Sequence, residues 1–461
     1  MTLIKSISGI RGTIGGKVDQ GLTPIDVVKY ASAYGTWLKS QTSSETYKVV
    51  LGRDARISGS MVSQLVSNTL IGLGINVVDL GLSTTPTVEI AVPLENANGG
   101  IILTASHNPI QWNALKLLND KGEFISAAEG ENLLEIAEKQ NFDFSEVQKL
   151  GVISFNDTYI DKHIELILNL PLVDTEKIKS SNFKIVVDAV NSTGGIAVPK
   201  LLIALGITQI EKLYCEPTGH FPHNPEPLPE HLTDLSKKIV EIGADLGITV
   251  DPDVDRLALV CEDGSMFGEE YTLVAVGDYV LSNNPGSSVS NLSSTRALQD
   301  ITEKYGQQYY SSAVGEVNVV EQMKECKAVI GGEGNGGIIY PELHYGRDSL
   351  VGIALFLSHL ADKKIKMTEL KSSYPQYTIS KNKIELPHSI NVDDLLMKVK
   401  DFYSNENIDT TDGVKIILDK EWVHLRKSNT EPIIRVYAES IDEQSADSLA
   451  KDVITSIEAL I

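Results

Sequence analysis

At 461 residues, 42% hydrophobic and 22% charged, the chain has the composition of a globular protein with room for about three or four domains of roughly 100–200 residues each. Its formal net charge of −22 argues against nucleic acid and anionic membrane as partners, because both need a basic footprint. No apolar run nears the ~18 residues of a membrane span and no secretory signal core is present, while three scattered cysteines without a CxxC pair point to a reducing compartment, so a cytoplasmic protein is expected.

Three stretches repeat one pattern in chain order. YKVVLGRDARISG (47–59) reads as a β-branched strand and a polar turn, followed by a helical stretch and a strand in LIGLGINVVDLG (70–81). FKIVVDAVNSTGG (183–195) leads in the same way to LLIALGITQIEKLY (201–214), and GSSVSNLSSTRAL (286–298) to ITEKYGQQYYSSAVGE. Each is a βαβ unit, so three related α/β domains are expected. The last ninety residues differ: a strand, an amphipathic helix, three strands joined as hairpins and a closing helix predict an α+β domain. Boundaries fall near 150, 261 and 370, giving domains 1–150, 151–261, 262–370 and 371–461.

Four segments carry the chemistry. In ILTASHNPIQWNALK (102–116) an apolar strand stops at Ala105, Ser106 is presented on a turn, and Lys116 follows ten residues later. Taken alone, Ser-His-Asn-Pro is also an ordinary strand stop, since Ser and Asn bond their own backbone and Pro cannot continue a ladder. A serine hydroxyl used for chemistry needs an adjacent base or cation, or can carry a phosphoryl group with about −1.5 to −2 charge.

LGITVDPDVDRLALV (246–260) ends a strand in Asp251, Asp253 and Asp255, then Arg256 and a second strand. Carboxylates at i, i+2 and i+4 of an extended chain project to one side, which is self-repulsive without a hard divalent ion and a ligand set with one. The spacing to Glu262 imitates an EF-hand, but position six is Arg256 rather than glycine and strands flank the loop. GGEGNGG (331–337) brings backbone close to a ligand and offers Glu333 and Asn335 for hydroxyl groups. RKSNTEPIIR (426–435) is a hairpin turn in which Arg426, Ser428, Asn429 and Thr430 suit a phosphate, with Arg435 on the outgoing strand as a second charge or a surface pair.

Together, TASHNP, DPDVDR, GGEGNGG and RKSNTEP, with GIRG (9–12), GRDARISG (52–59) and GHFPHNPEP (219–227) in support, resemble the α-D-phosphohexomutase superfamily over essentially the whole chain. GGEGNGG is closest to the archaeal-type phosphoglucosamine mutases. The resemblance implies three related α/β mixed-sheet domains and a C-terminal TATA-binding-protein-like α+β domain around a central cleft. It implies that Ser106 carries a phosphoryl group, and that Asp251, Asp253 and Asp255 hold Mg²⁺ together with an oxygen of phosphorylated Ser106.

By the same resemblance Glu333 and Asn335 read the sugar, and Arg426, Ser428, Asn429 and Thr430 clamp the non-reacting phosphate. Arg11, Lys116 and Arg256 match positive positions of the cleft. The implied reaction interconverts hexose 6- and 1-phosphates through a hexose 1,6-bisphosphate, which also serves as activator. Small-molecule hexose phosphates are the partners, glucosamine phosphate favoured and glucose or mannose phosphate next; monomer and homo-oligomer both stay open.

Gly337 stands where phosphomannomutase-like members carry a histidine, which leaves Lys116, if cations lower its pKa, or His107 as proton acceptor. The strand entering Asp251 also resembles the nucleophile strand of haloacid-dehalogenase-type phosphotransferases, which would place an aspartyl phosphate there. A catalytically silent sugar-phosphate-binding relative is the alternative from outside enzymes.

Overall fold

The computed structural model describes all residues except 1, 7–8, 388–389, 428–432 and 460–461. The chain divides into two compact units, residues 1–272 with 336–368, and residues 273–335 with 369–461.

The first unit is built on two sheets. The larger has seven strands, in spatial order Leu3–Ser6, Gly9–Thr13, Trp112–Leu118, Gly99–Leu103, Tyr47–Arg53, Ile75–Leu82 and Ile153–Phe155. Neighbours from Gly99–Leu103 to Ile153–Phe155 run parallel and the remaining pairs antiparallel. Alternation along the central strands explains their apolar sequence. Val49, Leu51, Ile101 and Leu103 bury on one face against Tyr30, Tyr34 and Trp37, while Val50 and Ile102 bury on the other against Val88 and Val92. Strands covered on both faces must be apolar at successive positions. Helix Pro24–Gln41, which carries those aromatics, starts with a capping box in which the Thr23 and Asp26 side chains accept each other's backbone N–H.

The second sheet orders Leu257–Cys261, Leu246–Val250, Lys184–Asp188 and Gln209–Leu213. Its first pair is an antiparallel hairpin closed by residues 251–256; the others are parallel. Helix Ser349–Lys363 also belongs to this unit, buried from Ser349 to Ala361, and its Asp348 N-cap accepts from the N–H groups of Leu350 and Val351.

In the second unit, strands Tyr309–Ser312, Ser288–Asn291 and Ile330–Glu333 are parallel neighbours. A five-stranded antiparallel sheet follows, in the order Thr378–Glu385, Ile433–Ser440, Trp422–Lys427, Val414–Ile417 and Asn407–Asp409. Helices Val392–Phe402 and Glu443–Glu458 contribute Leu395, Val399, Ala450, Val453 and Ile457 to its core.

All three sequence repeats fold as parallel βαβ units, around helices Gly59–Gly72, Gly194–Ala204 and Ala297–Lys304. The three-residue strand Asn407–Asp409 is an addition to the expected elements, too short and polar to stand out by periodicity. No helix among the described residues is long and apolar enough to cross a membrane.

Candidate active site

The Asp251–Arg256 connection is a tight turn rather than the extended segment expected from the i, i+2, i+4 spacing. Val254 sits in the left-handed region at φ +65°, and its N–H donates to Asp251 O at 3.1 Å. Asp251 Oδ1 accepts from the N–H groups of Asp255 and Arg256, each at 3.2 Å. A β-branched residue in that region is strained and persists only when its surroundings insist on it. Here the Val254 side chain is fully buried, and its carbonyl accepts the Ser349 N–H at 3.2 Å. The turn draws one oxygen of each of Asp251, Asp253 and Asp255 to within 4.8 Å of the others, all out of solvent.

Two cations partly neutralise this cluster. Lys116, on the strand that returns from the serine loop, donates to Asp253 Oδ2 at 2.7 Å and to Asp255 Oδ2 at 3.2 Å. Arg347 donates to Asp255 Oδ2 at 2.7 Å, and the Thr85 hydroxyl to Asp253 Oδ2 at 2.6 Å. Asp253 Oδ1 and Asp255 Oδ1 are buried with no hydrogen-bond partner among the described residues. An unpaired buried carboxylate oxygen is costly, and a set of hard anionic oxygens suits Mg²⁺, so these residues fit a divalent ion.

Protonation follows the same geometry. Burial, then repulsion from Asp253 and Asp255, pushes Asp251 well above the usual carboxylate range. Burial would raise Asp255 too, but Arg347, Lys116 and Arg256 outweigh it and hold it below that range. Burial alone would lower Lys116; Asp253 and Asp255 together overcome that and raise it. The expected cation-lowered lysine base is therefore corrected: the carboxylates, not the arginines, dominate around Lys116.

Ser106 faces this cluster. It is 4% exposed, adopts φ +49°, and donates from Oγ to Asp251 Oδ2 at 2.6 Å. His107 Nδ1 lies 3.4 Å from the same Oγ. Burial, then the charges of Arg256 and Arg11, takes the His107 imidazole down to about 2, so it is neutral. Arg11 Nη1 donates to Asn108 Oδ1 at 2.9 Å. Arg256 Nη1 and His107 Nε2 lie 3.9 and 4.0 Å from Glu226 Oε1, on the loop of the GHFPHNPEP motif.

In the second unit Glu333 Oε1 accepts from Asn291 Nδ2 at 2.8 Å and Gly315 N at 3.1 Å, and Asn335 Nδ2 lies 3.5 Å from Glu333 Oε2. Arg426 and Arg435 are direct cross-strand partners, with Lys383 opposite Arg435 on its other side. Asp412 Oδ2 lies 3.4 Å from Arg426 Nη1 and also accepts the Val314 N–H at 3.0 Å. Ser428, Asn429 and Thr430 lie outside the described residues.

Sequence reasoning placed Ser106, Lys116 and the three aspartates but missed Arg347, Thr85 and the Asp54–Arg56 pair beneath the serine loop. Arg347 had one legible signal: it precedes Asp348-Ser349, an N-cap pattern opening an apolar helix.

Four consecutive domain profiles cover this architecture: the phosphoglucomutase/phosphomannomutase alpha/beta/alpha domains I, II and III match residues 3–144, 157–264 and 268–377, and the C-terminal domain matches 386–456. The chain belongs to the phosphoglucomutase/phosphomannomutase family. It is therefore a phosphohexomutase, an isomerase acting by intramolecular phosphoryl transfer, with three mixed α/β domains and a C-terminal antiparallel-sheet domain. Members of this phosphoglucomutase/phosphomannomutase family use Mg²⁺.

A Thermococcus kodakarensis protein named phosphoglucomutase/phosphomannomutase is 34% identical, over 94% of this chain and 95% of its own length. A Sulfurisphaera tokodaii protein named phosphoglucosamine/phosphogalactosamine mutase is 31% identical over 98% of each. The crystal structure of a phosphoglucomutase/phosphomannomutase family protein from Burkholderia thailandensis matches with a TM-score of 0.85 at 25% identity, covering 98% of this chain and 96% of that one.

Proposed function

We propose that this phosphohexomutase carries its phosphoryl group on Ser106 and acts preferentially on glucosamine phosphate, with glucose and mannose phosphates as secondary substrates. The observation that carries the site assignment is the 2.6 Å bond from Ser106 Oγ to Asp251, beside two buried carboxylate oxygens that lack a partner among the described residues. Phosphorylated Ser106 gives its phosphoryl group to the free hydroxyl of a hexose phosphate, forming a hexose 1,6-bisphosphate. Ser106 then takes back the other phosphate after the sugar turns. The same bisphosphate rephosphorylates an enzyme that has lost its group.

Asp251, Asp253 and Asp255, with a phosphoryl oxygen on Ser106, would hold Mg²⁺, which when bound supplies positive charge against the oxygens of the transferring group. Lys116 and Arg256 add fixed cations near that oxygen. His107, neutral and with Nδ1 3.4 Å from Ser106 Oγ, orients that oxygen; burial and the charges of Arg256 and Arg11 make its imidazole too weak a base to hold the proton of the attacking hydroxyl. Glu333 and Asn335 bond sugar hydroxyls, while Arg426 and Arg435, with Ser428, Asn429 and Thr430, hold the phosphate that is not reacting. These assignments divide the chain into a phosphoserine domain at 1–150, a metal domain at 151–261, a sugar domain at 262–370 and a phosphate domain at 371–461. Small hexose phosphates in the cytoplasm are the partners.

The substrate order is supported by Gly337 in the sugar loop and by the 31% identical relative named for phosphoglucosamine and phosphogalactosamine. The second reading, glucose or mannose phosphate first, is favoured by the name of the 34% identical relative. Comparing kcat/KM for the 1-phosphates of glucosamine, glucose and mannose decides between them. A glucosamine value below the other two overturns the preference.

A further inference from the structure

Arg56 is buried beneath the serine loop at 1% exposure, and all five of its side-chain N–H donors are used. Nε donates to Asp54 Oδ2 at 3.0 Å, and Nη1 to the carbonyls of Pro109 and Trp112 at 2.8 and 3.0 Å. Nη2 donates to the carbonyls of Ser106 and Asn108. Asp54 in turn accepts the Arg56 N–H at 2.9 Å and the Thr104 hydroxyl at 2.7 Å, and Thr104 Oγ1 accepts the Ser106 N–H at 2.9 Å.

Both backbone polar groups of Ser106 thus end on one buried ion pair, the N–H through Thr104 and the carbonyl directly. The residue held this way has φ +49°, a conformation that a non-glycine residue keeps only under constraint. Rotation out of it would swing Oγ away from Asp251.

We propose that Arg56 is a positioning residue for phosphoryl transfer: its fork, braced by Asp54 and Thr104, locks the Ser106 backbone so that Oγ meets the carboxylate cluster. The inference rests on Ser106 as the phosphoryl carrier. A planar guanidinium reaches four carbonyls and a carboxylate at once, whereas an ammonium offers three donors from a single point. Arg56 therefore acts through geometry and touches no reacting atom.

The test uses the full chain as Arg56→Lys and Thr104→Val, with Ser106→Ala as control. It measures kcat and KM for glucosamine 1-phosphate and glucose 1-phosphate, the rate of Ser106 phosphorylation by glucose 1,6-bisphosphate, and the folded fraction by circular dichroism. Both variants are expected to lose about 10²-fold in kcat and in Ser106 phosphorylation, the scale of a small displacement of reacting groups. KM should stay within about threefold, because ground-state contacts are untouched. In a further variant, Arg56→Ala, which should lose at least as much kcat as Arg56→Lys, methylguanidinium should restore part of the loss, and it should restore none to Thr104→Val.

Wild-type kcat in both folded variants, a loss confined to KM, or a loss that tracks only the folded fraction overturns the proposal. Should Arg56→Lys fail to fold, Thr104→Val decides, since it leaves the Asp54–Arg56 pair intact. Activity in Ser106→Ala would overturn the carrier assignment itself. An inactive Ser106→Ala beside a fully active Arg56→Lys would overturn only the inference about Arg56.

Discussion

Lys116 Nζ lies 2.7 Å from Asp253 Oδ2, with both side chains withdrawn from solvent. The pair joins the strand leaving the serine loop to the acidic turn, 137 residues later in the chain. Removing the cation leaves Asp253 and Asp255 buried without it. Lys116→Met should therefore destabilise the metal-free first unit by about 3–5 kcal/mol, the usual cost of breaking a buried pair from one side. Urea unfolding in EDTA measures this, and saturating Mg²⁺ should shrink the difference; an unchanged midpoint would refute the pairing.

Mg²⁺ itself should stabilise the protein. Binding only to the folded state at a hundredfold excess over Kd adds about 2.7 kcal/mol. Wild-type Tm is expected to rise with Mg²⁺ and fall again with EDTA, whereas Asp253→Ala should show no magnesium response and no magnesium-dependent turnover. A normal thermal shift in that variant would remove Asp253 from the ligand set.

Ser106→Ala should keep the wild-type melting curve while turnover drops by several orders of magnitude, toward the roughly 10⁶-fold loss seen when a nucleophile is deleted. The purified wild-type protein, labelled with glucose 1,6-bisphosphate, should carry an acid-stable phosphate that the variant lacks. Loss of that label in mild hydroxylamine would instead indicate an acyl phosphate and point to Asp251.

Arg435 opposite Arg426 is a like-charge cross-strand pair, with Lys383 adding a third positive group in the same row. Like charges directly opposite each other destabilise a sheet. Arg435→Gln should accordingly raise stability slightly while raising KM for hexose phosphates. Chemical denaturation and steady-state kinetics on the same variant check both signs, and a lower KM would argue against a role in phosphate binding.

His223 meets Asp188 at 3.0 Å, and although burial lowers its pKa, the bond and charge of Asp188 raise it overall. A raised folded-state value means that the stabilisation is full below the unfolded histidine pKa of about 6.5 and is lost as pH rises through the folded value. The Tm of wild type should therefore fall more steeply between neutral and mildly alkaline pH than that of His223→Gln. Parallel profiles would show that the pair contributes nothing.

The three βαβ units, the hairpin carrying Asp251, Asp253 and Asp255, and the serine turn were legible in the chain itself. Each is written locally, in apolar alternation, turn residues and helix caps a few positions apart. The convergence of the carboxylates was expected for the wrong reason: an extended strand was inferred, whereas the left-handed Val254 folds the loop back. That conformation is imposed from outside the loop by burial and by Ser349, so no local pattern announces it.

Partner choice belongs to the tertiary structure alone. Lys116 resembled a base until two carboxylates 137 and 139 residues away were placed against it. The sequence named no partner for Arg347 or for Arg56 of GRDARISG; packing sets one against Asp255 and the other beneath the serine loop. Side-chain type and spacing state which groups are available. Which of them meet, and hence their protonation and purpose, depends on contacts between distant segments that only packing brings within a few ångströms.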